Sequence, residues 1–226
     1  YWEAISNETD PGSLPFTSDE QCDVAVIGGG YTGLSAAYHL CRDYHLDVRV
    51  LEAGHIGWGA SGRNGGFCCV GAEGLGGESL AQKYGEQNAR DFYLSQVDAV
   101  ELVRTIIDDE GIDVGVQGDG EVTFACSPKS FTALKSHAKF QRQALGLDTG
   151  VIEQGVMREQ YFDSPLQYGG IIHKPTFGLH PLNYIRGLSA AAVKRGAKVH
   201  DSSEVLEWSR DGGIHQLSTP GGILRA

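Results

Sequence analysis

The sequence predicts an α/β protein built on a parallel β–α–β unit. Three observations predict it. A short apolar run, Asp23-Val-Ala-Val-Ile27, breaks at Gly28-Gly-Gly30 and gives way to helix-period residues from Tyr31 to about Asp43. A second run, Asp47-Val-Arg-Val-Leu51, closes on an acid, Glu52. Beyond them, segments of helical period alternate with short strand-like runs through the rest of the chain.

The glycine turn is where chemistry enters. Gly28, Gly30 and Gly33 fit G-x-G-x-x-G, after a strand and before a helix. Gly28 permits the tight turn off the strand, Gly30 lets backbone N–H groups approach a pyrophosphate, and Gly33 lets helix and strand pack closely. The helix N-terminus then offers unpaired N–H groups to the phosphates. Glu52 lies 19 residues beyond Gly33, close to the ~20 expected of the acid that binds a ribose. A carboxylate there accepts from two ribose hydroxyls and repels a 2′-phosphate. The stretch therefore reads as Rossmann-like and selects FAD or NAD over NADP.

Bulk properties exclude several classes. The net charge of −11 and pI near 5.1 argue against nucleic-acid or anionic-membrane binding. No apolar run approaches the ~18–20 residues needed to span a bilayer. Tyr1 to Glu20 shows neither the basic nor the apolar region of a signal peptide, and cytoplasmic location is expected. This polar stretch, with Pro11, Gly12 and Pro15, reads as an extended arm over the domain surface. The five cysteines include no C-x-x-C. Cys22 and Cys41 read as core thiols, while a redox role stays open for the adjacent pair Cys68-Cys69. No histidine spacing typical of a metal site occurs.

Six of the fifteen residues from Ala53 to Phe67 are glycine, interleaved with Ser61, Arg63 and Asn64. Such a loop brings amides close to an anion and supplies one cation. It directly follows the ribose acid, which puts it beside the same ligand.

Strand-GGGYTGLS-helix, Glu52 and GWGASGRNGG together resemble the FAD-dependent D-amino-acid-oxidase-like superfamily, and within it the bacterial gamma-glutamylputrescine oxidoreductase type. The resemblance implies a glutathione-reductase-like FAD-binding domain with a substrate domain inserted. It implies FAD rather than NAD, with Gly28, Gly30, Tyr31, Thr32 and Gly33 cradling the pyrophosphate. Glu52 and Ala53 would meet the adenosine end. Gly59, Ala60, Ser61, Arg63, Asn64, Gly65, Gly66 and Phe67 would run along the pyrophosphate toward the flavin ring. It also implies oxidation of the C–N bond of an amine or amino acid to an imine, with electrons passing to oxygen or another acceptor. The catalytic residues stay unassigned. A family member is roughly twice this long, so an N-terminal fragment of a larger flavoprotein is expected. An NAD-dependent Rossmann enzyme and a non-catalytic flavin-binding subunit are the competing readings.

The remaining elements follow in order. Ala89, Tyr93, Val97, Val100, Val103 and Ile107 repeat at helical steps over 83–110, with Gly111 as a stop. Asp108-Asp109-Glu110 is unfavourable at a helix C-terminus and predicts fraying or an earlier end. Gly118 to Ala125 reads as a turn and strand, and Ser127-Pro128 opens a helix to about Leu145, with Gly146 as its stop. Met157 to Phe162 reads as a helical turn and Gln167 to His173 as a strand. His180 precedes Pro181, which opens a helix that buries Ile185, Leu188 and Ala192 and ends at Gly196; a capping role for His180 is favoured over substrate contact. Ala197 to His200 is a strand, and Ile214 to Ala226 a hairpin about Pro220-Gly-Gly. In the family pattern, the residue matching Val205 touches the adenine with its backbone. Domains are expected at 1–20 (arm), 21–115 with 175–226 (FAD-binding) and 116–174 (partial substrate domain).

Overall fold

The structure, a computed structural model, describes residues 1–7, 13–71 and 76–226. In chain order the elements are α1 (Trp2–Ile5), β1 (Glu20–Gln21), β2 (Val24–Ile27), α2 (Tyr31–Tyr44), β3 (Val48–Leu51), β4 (Phe67–Cys68), α3 (Gly77–Tyr84), α4 (Glu86–Glu110) and β5 (Glu121–Phe124). There follow α5 (Pro128–Phe140), β6 (Asp148–Ile152), α6 (Gln154–Gln160), β7 (Gly170–Lys174), β8 (Phe177–Gly178), α7 (Pro181–Lys194), β9 (Lys198–His200), β10 (Glu207–Asp211), β11 (Ile214–Thr219) and β12 (Gly222–Arg225). Two compact units result. The first comprises residues 1–66, 106–115 and 179–226, and the second residues 67–105 and 116–178. The sequence placed 67–105 with the nucleotide-binding part; in the structure it groups with the second unit instead. The reason is packing: Leu80, Ala89 and Tyr93 of this segment bury against Leu145 and Leu147.

The first unit carries the expected α/β architecture. β2 pairs parallel with β3 (Val24↔Val48 to Ile27↔Leu51), and β3 pairs parallel with β9 (Arg49↔Lys198 to Leu51↔His200). All four β3 residues are buried. The buried one that is charged, Arg49, is paired with Asp47 and, at 3.1 Å, with Glu20. α2 buries Leu34, Ala37, Tyr38 and Cys41, and α7 buries Ile185, Leu188 and Ala192 as its period requires. The predicted hairpin is present as β11 and β12, extended into a sheet of order β1-β12-β11-β10. The N-terminal arm is not simply extended. Trp2–Ile5 is a helical turn, and Phe16, only 2% exposed, sits in the core with Leu51, Leu217 and Leu224. Pro11 and Gly12 lie outside the described residues.

The predicted fraying after Ile107 does not occur. α4 runs to Glu110, with Gly111 at positive φ beyond it. The Glu110 side chain is 2% exposed and accepts from Lys194 Nζ (2.9 Å), Tyr38 Oη (2.9 Å) and the Arg195 guanidinium. Burial pushes this carboxyl up, but the hydrogen bonds from Arg195, Lys194 and Tyr38 outweigh it and hold the pKa near about 2. Charge pairing from α7 and α2 thus overrides the unfavourable dipole.

The second unit is α+β. Its antiparallel sheet has the order β5-β7-β6, and β4 pairs antiparallel with β8. β6 had no strong signal: Asp148-Thr-Gly-Val-Ile152 carries a glycine mid-strand. The expected single helix over 83–110 is two helices, α3 and α4, broken at Gly85 with φ +89. α5 opens with Ser127 and Ser130 in a reciprocal capping box and continues as a π-helical turn to Leu145, ending at Gly146. Strand β7 begins at Gly170 rather than Gln167.

Candidate functional site

The first glycine turn is set by the β2–β3 pair. Gly28 N donates to Leu51 O at 2.8 Å, which carries the parallel ladder one residue past the strand. Gly28 has φ +98, a conformation an L side chain rarely adopts, and open space where a Cβ would stand. A Cβ on Gly33 would run into the carbonyl of Gly28, so this glycine lets α2 approach the turn. Gly30 caps α2 without a side-chain oxygen. The amides of Thr32 and Gly33 lie in the first helical turn and lack intrahelical partners by geometry. The Tyr31 amide donates to Ser61 Oγ at 3.1 Å.

Glu52 ties this turn to the second glycine segment. Its Oε2 accepts from Gly29 N at 2.7 Å, and its Oε1 from Gly54 N at 2.9 Å. Each oxygen keeps lone-pair capacity for a hydroxyl donor. The Glu52 backbone is fixed by β9 and the segment after it: Glu52 N donates to His200 O, and Ser203 N to Glu52 O, both at 2.8 Å. Val205 follows in irregular backbone rather than in a strand, half-buried against the cluster of Phe16 and Leu51. Ala53 is exposed beside it in sequence to Glu52.

The second segment wraps around a short 3₁₀ turn, Ala60–Gly62, capped by Gly59. Gly59 has open space at its Cβ position. Asn64 holds the loop. Its Nδ2 donates to Ser61 O (3.0 Å) and Ala60 O (3.2 Å), and its Oδ1 accepts from Gly66 N (2.8 Å). Gly66 has φ +75, and a Cβ there would meet Leu179 O. Arg63 is exposed, stacks 5.6 Å from the Trp58 ring, and lines a cavity of about 400 Å³ with Tyr1, Trp2 and Leu182. Thr32 and Gly65 are exposed. Phe67, 79% exposed, already belongs to the second unit.

The first unit thus brings together Gly28, Gly30, Tyr31, Gly33, Glu52 and Ser61, with Gly59 and Ala60 adjoining through the 3₁₀ turn. Asn64 and Arg63 are occupied in holding the loop or stacking on Trp58. Two glycines with open space at their Cβ positions, together with first-turn amides of α2 that have no intrahelical acceptor, fit a dinucleotide diphosphate. Sequence reading missed Trp2, whose Nε1 donates to Asn64 O at 2.9 Å. A polar terminal arm carried no periodic signal to reveal it.

Which dinucleotide is decided by likeness to known proteins. Residues 23–226 match the family described as DAO, FAD dependent oxidoreductase. The chain belongs to that family. FAD is accordingly the cofactor, and the NAD alternative falls away. Gamma-glutamylputrescine oxidoreductase of Escherichia coli is 32% identical over 212 residues, covering 92% of this chain and 47% of that protein. A probable oxidoreductase, OrdL, of Haemophilus influenzae is 30% identical over 209 residues, covering 91% and 47%. The chain thus spans about half the length of the curated relatives it matches. Among solved structures, glycine oxidase of Geobacillus kaustophilus shares the fold, with a TM-score of 0.71 at 23% identity over 91% of this chain and 53% of that one.

Elsewhere, burial pushes the Cys68 thiol up to about 11 and the Cys69 thiol up to about 12, leaving both protonated at neutral pH and poor in thiolate chemistry. His180 is the helix cap that its position before Pro181 suggested: its Nδ1 accepts from Asn183 N at 3.1 Å. No helix among the described residues is long and apolar enough to cross a membrane.

Proposed function

We propose that the full-length protein oxidises the C–N bond of a small amine or amino acid to an imine, using FAD bound at the two glycine segments of the first unit. The observation that carries the reading is the joining of the two glycine segments: Glu52 accepts from Gly29 N in one and Gly54 N in the other, and Gly28 and Gly59 have open space at their Cβ positions. The names of two relatives, gamma-glutamylputrescine oxidoreductase and glycine oxidase, both point to amine-bearing substrates.

In this reading the amides at the start of α2 and the turn Gly59–Ser61 receive the diphosphate. Ser61 Oγ already accepts from Tyr31 N and so sets the distance between the two segments. Glu52 uses its remaining lone pairs for ribose hydroxyls, and Ala53 and the Val205 backbone border the adenosine. Arg63 supplies the one cation of the loop, and Gly65, Gly66 and Phe67 carry the chain onward from it. When bound, FAD would supply the two-electron acceptor for oxidation of the carbon bearing the amine. The protein's part is to orient the substrate C–H and hold the amine neutral, which requires no dedicated general base.

The test is anaerobic mixing of the full-length flavoprotein with a panel of polyamines, N-methyl amino acids, D-amino acids and, for contrast, 2-hydroxy acids. Bleaching of the oxidised-flavin absorbance by at least one of them, with imine-derived carbonyl product, is expected. Bleaching only by hydroxy compounds would contradict the C–N assignment.

A further inference from the structure

The N-terminal turn is fastened to the cofactor loop, although nothing in its composition demands this. Trp2 Nε1 donates to the backbone carbonyl of Asn64 at 2.9 Å. The indole also packs edge-on against the His180 ring, 4.8 Å between centroids, where His180 caps α7. Ser6 Oγ donates to Asn183 Oδ1 at 2.7 Å in the first turn of the same helix. One short segment therefore joins the loop that follows Glu52 to the start of α7.

Asn64 is the residue through which the loop keeps its shape. Its side chain grips the carbonyls of Ala60 and Ser61 and the amide of Gly66, and Ser61 Oγ accepts from the Tyr31 amide at the mouth of α2. A hydrogen-bonded chain thus runs from Trp2 through Asn64 and Ser61 to Tyr31. The loop has only three residues of regular structure to hold it otherwise. A glycine-rich loop is costly to order, because each glycine loses much backbone freedom. Ordering it before ligand arrives removes that cost from binding.

We propose that residues 1–6 form a latch on the cofactor loop, with Trp2 as a positioning residue that pre-orders Asn64 and Ser61 for FAD. This rests on the cofactor site proposed above. The latch acts by holding the loop in its binding shape.

The experiment compares the full-length wild type with W2F and W2A. W2F keeps a ring against His180 and removes only the N–H donor; W2A removes both. FAD is titrated into each apoprotein by flavin fluorescence, and the thermal midpoint of each apoprotein is recorded alongside. One hydrogen bond of ordinary strength, about 1 kcal/mol, corresponds to about a fivefold rise in Kd for W2F. A rise of about tenfold or more is expected for W2A, with apoprotein midpoints of both variants within about 0.5 °C of wild type, less than an equal loss of folding stability would shift them. An unchanged Kd in both variants would overturn the latch while leaving the FAD site standing. A Kd rise matched by an equal loss of apoprotein stability would overturn it too, as a general structural role. A wild type that takes up no FAD would overturn the site and the latch together.

Discussion

The two glycine segments of the first unit do similar work by different means. The turn at Gly28–Gly33 is an extension of regular structure. The β2–β3 ladder continues into it through Gly28 N and Leu51 O, α2 starts where it ends, and its shape is fixed by what cannot fit: a side chain at φ +98 or a Cβ facing the Gly28 carbonyl. The loop at Gly57–Gly66 has one 3₁₀ turn and is held by side chains, chiefly Asn64 and Ser61, with Trp2 bracing from outside. The first is determined by backbone sterics, the second by a hydrogen-bond network. They should therefore break differently.

The largest effect is expected at the first. Gly33→Val drives a branched side chain into the Gly28 carbonyl and Val26, and should cost more than about 3 kcal/mol in urea unfolding, with loss of bound FAD. A variant that keeps both would show that the α2 approach is not steric.

A site outside both glycine loops provides the control. Within the first unit Glu110 is paired with Tyr38 of α2 and with Lys194 and Arg195 at the end of α7, and its carboxyl is held at about 2 against an ordinary 4.5. A lowered folded-state pKa stabilises above the unfolded value and loses that stabilisation as pH falls through the folded one. Wild type should thus exceed Glu110→Gln by up to about 3 kcal/mol at neutral pH, the gap closing as pH drops from 4.5 toward 2. FAD affinity of the folded protein should be unchanged at neutral pH. A gap that persists undiminished at acid pH would mean the charge is not what stabilises.

The smallest effect on stability, and the most selective on binding, belongs to the second loop. Asn64→Ala removes the grip on Ala60, Ser61 and Gly66 at an exposed site, so it should cost only about 1 kcal/mol of folding stability. It should raise the Kd for FAD by about tenfold, read by fluorescence titration. An unchanged Kd beside lost stability would place the loop among structural rather than cofactor-holding elements.

This contrast also explains what the sequence revealed. The first turn was legible because its requirements are local: glycines at fixed spacing between an apolar run and a helical period. The place of Gly33 against Gly28 follows from that spacing alone. α7 was legible from Pro181, its burial period and Gly196 for the same reason. Long-range requirements were not legible. Phe16 enters the core from a polar arm, and Glu110 looks wrong at a helix end until Lys194, Arg195 and Tyr38 are brought to it. β6 has a glycine in mid-strand and is stabilised by pairing with β7, which no local pattern announces. Trp2 and Asn64 lie 62 residues apart, and their hydrogen bond depends on the whole fold of the first unit.

The most direct test of the central claim is the visible spectrum of the purified full-length protein. An oxidised-flavin spectrum with about one FAD released per chain on denaturation is predicted. A colourless protein that takes up no added FAD and turns over only with a nicotinamide cofactor would contradict it.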